Sequence, residues 1–310
     1  MGLALHNYHS AHNTLPIGTR SGTYSAADGL NISGCNWRFS ILPFMEFNAI
    51  YEKVVFDRNL GFKNMGTNKE ALGNARVNTL ICPSSAVDAF FHERSYSDMD
   101  SDLSGGTYFH TGNSIPGGSQ SGTEPHWPDG EVVQMHQYVG ISGADPDPLG
   151  RTIKAKAMTD ASLGTLSDSG TFTFNDAKSF AKLSDGTSNV IVVAEQSGMI
   201  SQASGNKVPM CSTYGGGWSG CHFTGKFAAF PAGGDTNWAC GLTCVRYPIN
   251  LKTVVDGSNH IWNGNTILSS QHTGGINVLR GDGSCHFTSD SINMDLLRRL
   301  ACADDGMAAE

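Results

Sequence analysis

Histidines occupy positions 6, 9 and 12 of this chain, spaced i, i+3, i+6. Residues three apart are neighbours on a helix, so His6 and His9 can chelate one metal, with His12 in reach if the helix tightens or ends there. Neutral imidazole is the commonest ligand for zinc or copper. The alternative is that these histidines face solvent or hydrogen-bond to the sheet beneath. A second group is Asp185, Asn189 and Glu195, which offers hard oxygen donors of the kind calcium takes in sets of six to eight. The spacing is not that of an EF-hand, and Asp185-Gly186 also reads as a turn whose Thr187 or Ser188 hydroxyl satisfies backbone donors. Glu195 ends an apolar run, and a carboxylate leaving a buried strand needs a cation or hydrogen-bond donors. Arg280 or a metal are the candidates. A third group is His272 with Asp282 and Gly283, where a His–Asp pair across a turn can orient an imidazole for acid–base work or simply pin the turn. Tyr214, Trp218, Trp238 and Trp262 sit among glycine-rich stretches. They present flat faces suited to sugar rings, or else plug the core beneath loops.

Other chemistries lack their signatures. There is no G-x-S-x-G elbow and no HExxH helix, and Gly215-Gly216-Gly217 lacks the Lys-Ser/Thr of a phosphate loop. A formal net charge of −8, with no dense Lys/Arg patch, argues against nucleic-acid binding. No catalytic residue is assigned.

The elements that must position these residues read as α+β. With 38 glycines and only 15% charged residues in 310, turns and short strands are expected rather than a helical bundle. Residues 3–12 read as the end of a helix, stopped by Asn13 and Pro16, with Leu3, Leu5 and Tyr8 as its apolar side. Residues 37–52 form a second helical element that Pro43 interrupts or starts, and 68–80 a third. Residues 171–174 alternate as a half-exposed strand, and 187–194 read as a buried one. Residues 266–269, 276–279 and 284–288 complete a C-terminal sheet, with Asp282-Gly283 as a hairpin turn. Residues 290–300 form a helix capped by Asp290 or Ser291, with Ile292, Leu296, Leu297 and Leu300 on one face.

Five ordered segments resemble a large bacterial family of prepilin-like surface proteins, abundant in planctomycetes. That family is labelled DUF1559, a domain of unknown function or solute-binding-like domain. The segments are Gly2-Leu-Ala-Leu-His-Asn-Tyr-His through Gly18; Trp37 with Ile41-Leu-Pro-Phe-Met-Glu46 and Ile50-Tyr51; Leu80-Ile-Cys-Pro-Ser84; Asp185-Gly-Thr-Ser-Asn through Glu195; and His272 with Asp282-Gly283, the His-X9-Asp-Gly signature. The resemblance implies one pilin-like ectodomain over 1–310. Its N-terminal helix packs on an antiparallel β-sheet, with loop-rich insertions at about 95–170 and 199–264. It also implies a non-catalytic protein at the cell surface, periplasm-facing before assembly. Such a protein joins other pilin-like subunits, and meets the membrane only through a helix upstream of Gly2, while a polysaccharide or small solute is bound elsewhere. Met1 then reads as an added start. Calcium is the cofactor candidate, by analogy with pseudopilins. The competing expectation is a metal-dependent hydrolase or oxidoreductase built on His6, His9 and His12, or on His272 and Asp282. An extracellular location favours disulfides among the eight cysteines. Cys240 with Cys244, Cys211 with Cys221 and Cys285 with Cys302 are the sequence-local pairings, and buried free thiols are the alternative.

Overall fold

Five strands from three distant parts of the chain pair into one sheet. They are β1 (Tyr138–Ala144), β2 (Ile191–Glu195), β3 (Leu242–Val245), β4 (Gly275–Arg280) and β5 (Cys285–Ser289), in the order β3-β1-β2-β4-β5. The computed structural model describes residues 1–21, 33–54, 71–72, 75–85, 89–92, 132–157, 164–201, 207–209, 217–218, 220–221, 225–230, 239–258 and 263–306. The fold is α+β, as expected, but the sheet is mixed: β3 runs parallel to β1, whereas β1–β2, β2–β4 and β4–β5 are antiparallel. The correction has a topological cause. Strands β1 and β3 lie within the stretches 95–170 and 199–264 that read as insertions, so a long connection returns β3 in the same direction as its neighbour.

Strand β2 shows why the sheet has two covered faces. Its sequence, Ile-Val-Val-Ala-Glu, is buried at every position, as a central strand's must be. The β2–β4 register shifts between Leu279 and Arg280, which leaves Val192 without a partner. The bulge turns Val192 and Val193 to the same side. They join Ala4, Leu5, Trp37, Phe172 and Leu279 in one core cluster. Ile191 and Ala194 face the other way, against Val139, Ile141, Val278, Leu297 and Leu300.

Helix α1 (Gly2–His12) covers the first face and ends where Asn13 turns left-handed at φ 58°, its amide donating to His9 O. A Cβ added at Gly2 would lie 2.9 Å from Leu279 Cδ1, so glycine lets the helix start against the β4–β5 hairpin. The buried side chains are Ala4 and Leu5. Leu3, expected inside, is 75% exposed, because residues 3 and 5 lie about 200° apart around a helix and cannot share a face. Tyr8 is partly buried at the core's rim. Helix α4 (Met294–Ala301) covers the opposite face. Its cap is Asn293, whose Oδ1 accepts from Asp295 N and Leu296 N, rather than Asp290 or Ser291. Burying Leu5, Leu297 and Leu300 contributes roughly 1.5–3 kcal/mol each.

The second helical element is split into α2 (Trp37–Ser40), a 3₁₀ turn at Leu42–Met45 with proline in its first turn, and α3 (Asn48–Tyr51). Within 68–80, residues 71–72 are helical and Asn78–Leu80 form a 3₁₀ turn, while 75–77 are not helical. Residues 171–174 are wholly buried and pair only through a bridge from Phe174 to Thr19, not as a half-exposed strand. Of 187–194, the first part is a 3₁₀ turn (Thr187–Asn189). Residues 266–269 contribute a bridge from Ser269 to Gln196. The expected bridges Cys240–Cys244 and Cys285–Cys302 are not formed, and all four thiols are free. The two thiols of the first pair lie in different surroundings, Cys240 beside Arg38 and Cys221, Cys244 beside Asp145 and Cys302. Cys285 is exposed on the outer strand, whereas Cys302 is buried against the opposite face. Cys211 lies outside the described residues.

Candidate functional site

Three segments that are far apart in sequence meet at the end of β2. Cys82 Sγ lies 3.5 Å from Glu195 Oε1 and 3.8 Å from His272 Nε2, and Nε2 lies 3.2 Å from Oε1. Among the described residues this is the one set of three His, Cys, Asp or Glu donor atoms within 4.8 Å of one another. Ser84 Oγ closes the group, 3.1 Å from Nε2 and 3.2 Å from Sγ.

Each side chain is held by its own support. The segment before β1 carries Gln134 and Gln137, both fully buried. The Gln134 amide brackets Val77, accepting from its N–H and donating to its carbonyl. Gln137 Oε1 accepts from Cys82 N at 2.7 Å, and its own N–H donates to Leu80 O. The two amides act as a substitute strand that fixes the Cys-Pro-Ser turn on the sheet. Glu195 sits at the last position of β2, opposite Tyr138 on β1. Its Oε2 accepts from Asn277 N at 2.7 Å and its Oε1 from Asn277 Nδ2 at 3.1 Å, across to β4. His272 precedes β4. Its N–H donates to Ser270 Oγ, which donates in turn to Gly275 O.

Cys82 and Glu195 are 1% and 2% exposed, while the His272 side chain is 30% exposed. The buried carboxylate thus has donors from Asn277 and a basic neighbour in His272, as burial of a charge requires. Burial, and then the nearby Cys82 and Glu195, hold the Tyr138 phenol well above its ordinary pKa, so it stays neutral beside the carboxylate. The exposed side of His272 borders an open cleft of about 350 Å³, walled by Asn250, Lys252, Ser270, Gln271 and Asp290.

The expected groupings are redistributed. His272 and Asp282 do not meet. They flank the two ends of β4, and six residues of strand separate them by about 20 Å. Asp282 Oδ1 instead accepts from Ser284 N and Oγ within the hairpin turn, which lowers the Asp282 pKa. Gly283 supplies the positive φ there, 88°. Arg280 does not reach Glu195; it donates to Ser188 O. Asp185 and Asn189 share a turn in which Asn189 Nδ2 donates to Asp185 O, and Glu195 lies at the far end of β2. The Asp185 carboxylate is engaged by the Asp305 and Gly306 N–H groups, each at 2.8 Å. His6 and His9 pack against Phe180, with ring centroids 4.6 and 4.7 Å away, and His12 packs on Tyr8. The three do not converge on a common point. Trp218 is fully buried, edge-on to His136 and Phe39, and offers no face to a ligand. Tyr214, Trp238 and Trp262 lie outside the described residues.

Cys82, Ser84 and Asn277 escaped sequence reasoning. A signal existed in Glu195, a carboxylate closing an apolar strand, and in His272, a histidine leading into the strand that pairs with it. Cys82 and Ser84 stood only in the Leu80–Ser84 segment that carries the resemblance, and the approach of Cys82 to Glu195 depends on the Gln134 and Gln137 amides.

A family model described as a protein of unknown function (DUF1559), SBP_bac_10, matches residues 1–295. No curated protein and no solved structure matches the chain. Cys82, Glu195 and His272, which the fold gathers, lie in three of the segments that carry the resemblance, and with the match running over nearly the whole sequence the chain belongs to the DUF1559 family.

Proposed function

We propose that this chain is a non-catalytic, pilin-like protein of the cell surface that binds a small polar solute in the cleft beside His272. The observation that carries the reading is the composition of that cleft. Lys252 and Asp290 place opposite charges on its walls, and Asn250, Ser270 and Gln271 supply amide and hydroxyl groups. Such a lining suits a ligand with its own charged and hydrogen-bonding groups better than a stacked sugar ring, which needs an aromatic platform. The packing of α1 through Ala4 and Leu5, with its start against the hairpin, supports a surface subunit that joins other pilin-like subunits through a helix upstream. Among the described residues no helix is long and apolar enough to cross a membrane.

The test is a ligand panel of amino acids, dicarboxylates and oligosaccharides, read by amide chemical-shift changes and isothermal titration. Binding of an amino acid or dicarboxylate that moves resonances at 270–274, and is lost in a Lys252→Ala/Asp290→Ala variant, supports the reading. Both side chains are exposed, so the variant keeps the fold. An oligosaccharide that binds with those resonances unmoved, or a panel with no binder, overturns it.

A further inference from the structure

We propose that Cys82 Sγ, Glu195 Oε1 and His272 Nε2 form a transition-metal site suited to zinc. The inference goes beyond solute binding and does not depend on it. A tetrahedral zinc, with bonds near 2.3 Å to sulfur and 2.0–2.2 Å to nitrogen and oxygen, separates its ligand atoms by about 3.3–3.7 Å. The three separations here are 3.2, 3.5 and 3.8 Å. Each separation is also within hydrogen-bonding reach, so the three donors hold one another at the spacing of a coordination sphere.

Charge points the same way. Among the described residues the basic partner of the buried Glu195 is His272 alone. A thiolate, a carboxylate and a neutral imidazole around a divalent ion sum to zero, which relieves the burial of Glu195. As the sulfur–metal bond forms, the Cys82 thiol proton leaves to solvent. The donor set is one soft, one borderline and one hard atom, which suits zinc and falls far short of the oxygen shell calcium needs. The supports are those of a metal site's outer shell: Asn277 orients the carboxylate through two hydrogen bonds, and Gln137 fixes the Cys82 backbone. Ser84 Oγ, on an exposed residue, lies near both imidazole nitrogens, 3.3 Å from Nδ1 and 3.1 Å from Nε2, so the fourth position is left to water.

The experiment uses the full chain, reduced, stripped of metal with chelator and titrated anaerobically with Co(II), then with Zn(II). The expected result is saturation at one equivalent, with the intense visible bands of tetrahedral cobalt and a thiolate charge-transfer band, both abolished by Zn(II). Cys82→Ser and His272→Gln each lose the charge-transfer band or weaken binding by at least about 100-fold, and Asn277→Ala, a positioning change, weakens it by roughly 10–100-fold. Cys285→Ser, which removes an exposed thiol, leaves the spectrum intact. If Cys82→Ser does not fold, His272→Gln in a partly exposed loop carries the decision, with circular dichroism of the metal-free variant as control. A weak octahedral spectrum, no thiolate band, or a band lost with Cys285→Ser but kept with His272→Gln overturns the proposal.

Discussion

Replacing Asp185 with alanine should release the C-terminal tail without touching any ion. The carboxylate spends both oxygens on backbone donors: Oδ2 accepts from Asp305 N and Oδ1 from Gly306 N, each at 2.8 Å. The same turn returns a weaker contact, from Asp185 N to Ala303 O. Hydrogen bonds to a charged acceptor are worth about 1.5–3 kcal/mol when shielded. Asp185 is only half-buried and Gly306 is exposed, so solvent screens the pair and about 1–2 kcal/mol is a fair total. In a chain of this size that lowers the Tm by roughly 1.5–3 °C. Differential scanning calorimetry measures the shift, and hydrogen exchange locates it: the Asp305 and Gly306 amides should lose protection while β2 and α4 keep theirs. Asp185→Asn keeps one acceptor oxygen and should fall between. If the wild type loses the same stability on treatment with EGTA and regains it with calcium, or if Asp185→Ala leaves tail exchange unchanged, the clamp is refuted and the carboxylate serves an ion.

Further outcomes follow from burial. Glu195→Ala leaves the Asn277 N–H without its acceptor and opens a cavity, so urea unfolding should show a loss of about 2–4 kcal/mol in metal-free protein, with Glu195→Gln losing less. Iodoacetamide with peptide mapping should label Cys285 in the native state and Cys240, Cys244 and Cys302 only after unfolding; native labelling of those three would contradict their burial. Burial pushes the thiols of Cys240 and Cys244 up and that of Cys302 to about 12, above the value near 9 they take when unfolded. Their contribution is present below pH 9 and is lost as pH rises past it, since the unfolded chain then releases protons that the folded chain retains. Lys178, whose pKa burial lowers to about 8, acts in the opposite sense, and its penalty is relieved between pH 8 and its unfolded value of 10.5. With the four buried thiols of Cys35, Cys240, Cys244 and Cys302 against one amine, urea midpoints under reductant should decline from pH 9 upward; a steady rise to pH 10.5 would show the thiols to be accessible.

The parts of the fold that were legible in the sequence are those that local chemistry decides. The β4–β5 hairpin could be read from alternation and Asp282-Gly283, since a turn residue acts on its own neighbours. Helix α4 could be read from its leucine spacing, though its start moved to Asn293 because a cap depends on which side chain reaches a free amide. Strand β1 was hidden. Tyr-Val-Gly-Ile-Ser-Gly-Ala carries two glycines and a serine in a fully packed central strand. Gly140 is required there because a Cβ would strike Phe172 and Leu242 at 2.7 and 2.9 Å, and Gly143 because its φ is 142°. Residues chosen for close approach look like loop residues until the partner that approaches is known.

The same logic governs the site. Three histidines at helical intervals suggest a local chelate, yet among the described residues their donor atoms are not gathered as those of Cys82, Glu195 and His272 are, and the rings of His6 and His9 pack on Phe180. The group that does converge has sequence separations of 77, 113 and 190 residues, so no window of sequence contains it. It exists because β2 and β4 are neighbours, which places Asn277 opposite Glu195 and brings His272, five residues earlier, over the strand end. It also needs two glutamine side chains to do the work of a missing strand beneath Cys82. The geometry therefore makes a sharper demand than the residue types do. Gln137→Ala, which touches none of the three donor atoms, should displace the Cys82 backbone and widen the sulfur–imidazole gap. Gln137→Glu, which preserves the acceptor oxygen, should hold it. If both variants leave the reactivity of Cys82 toward a small thiol reagent unchanged, the amide does not position the cysteine, and the turn is held by its proline and the packing of Leu80 alone.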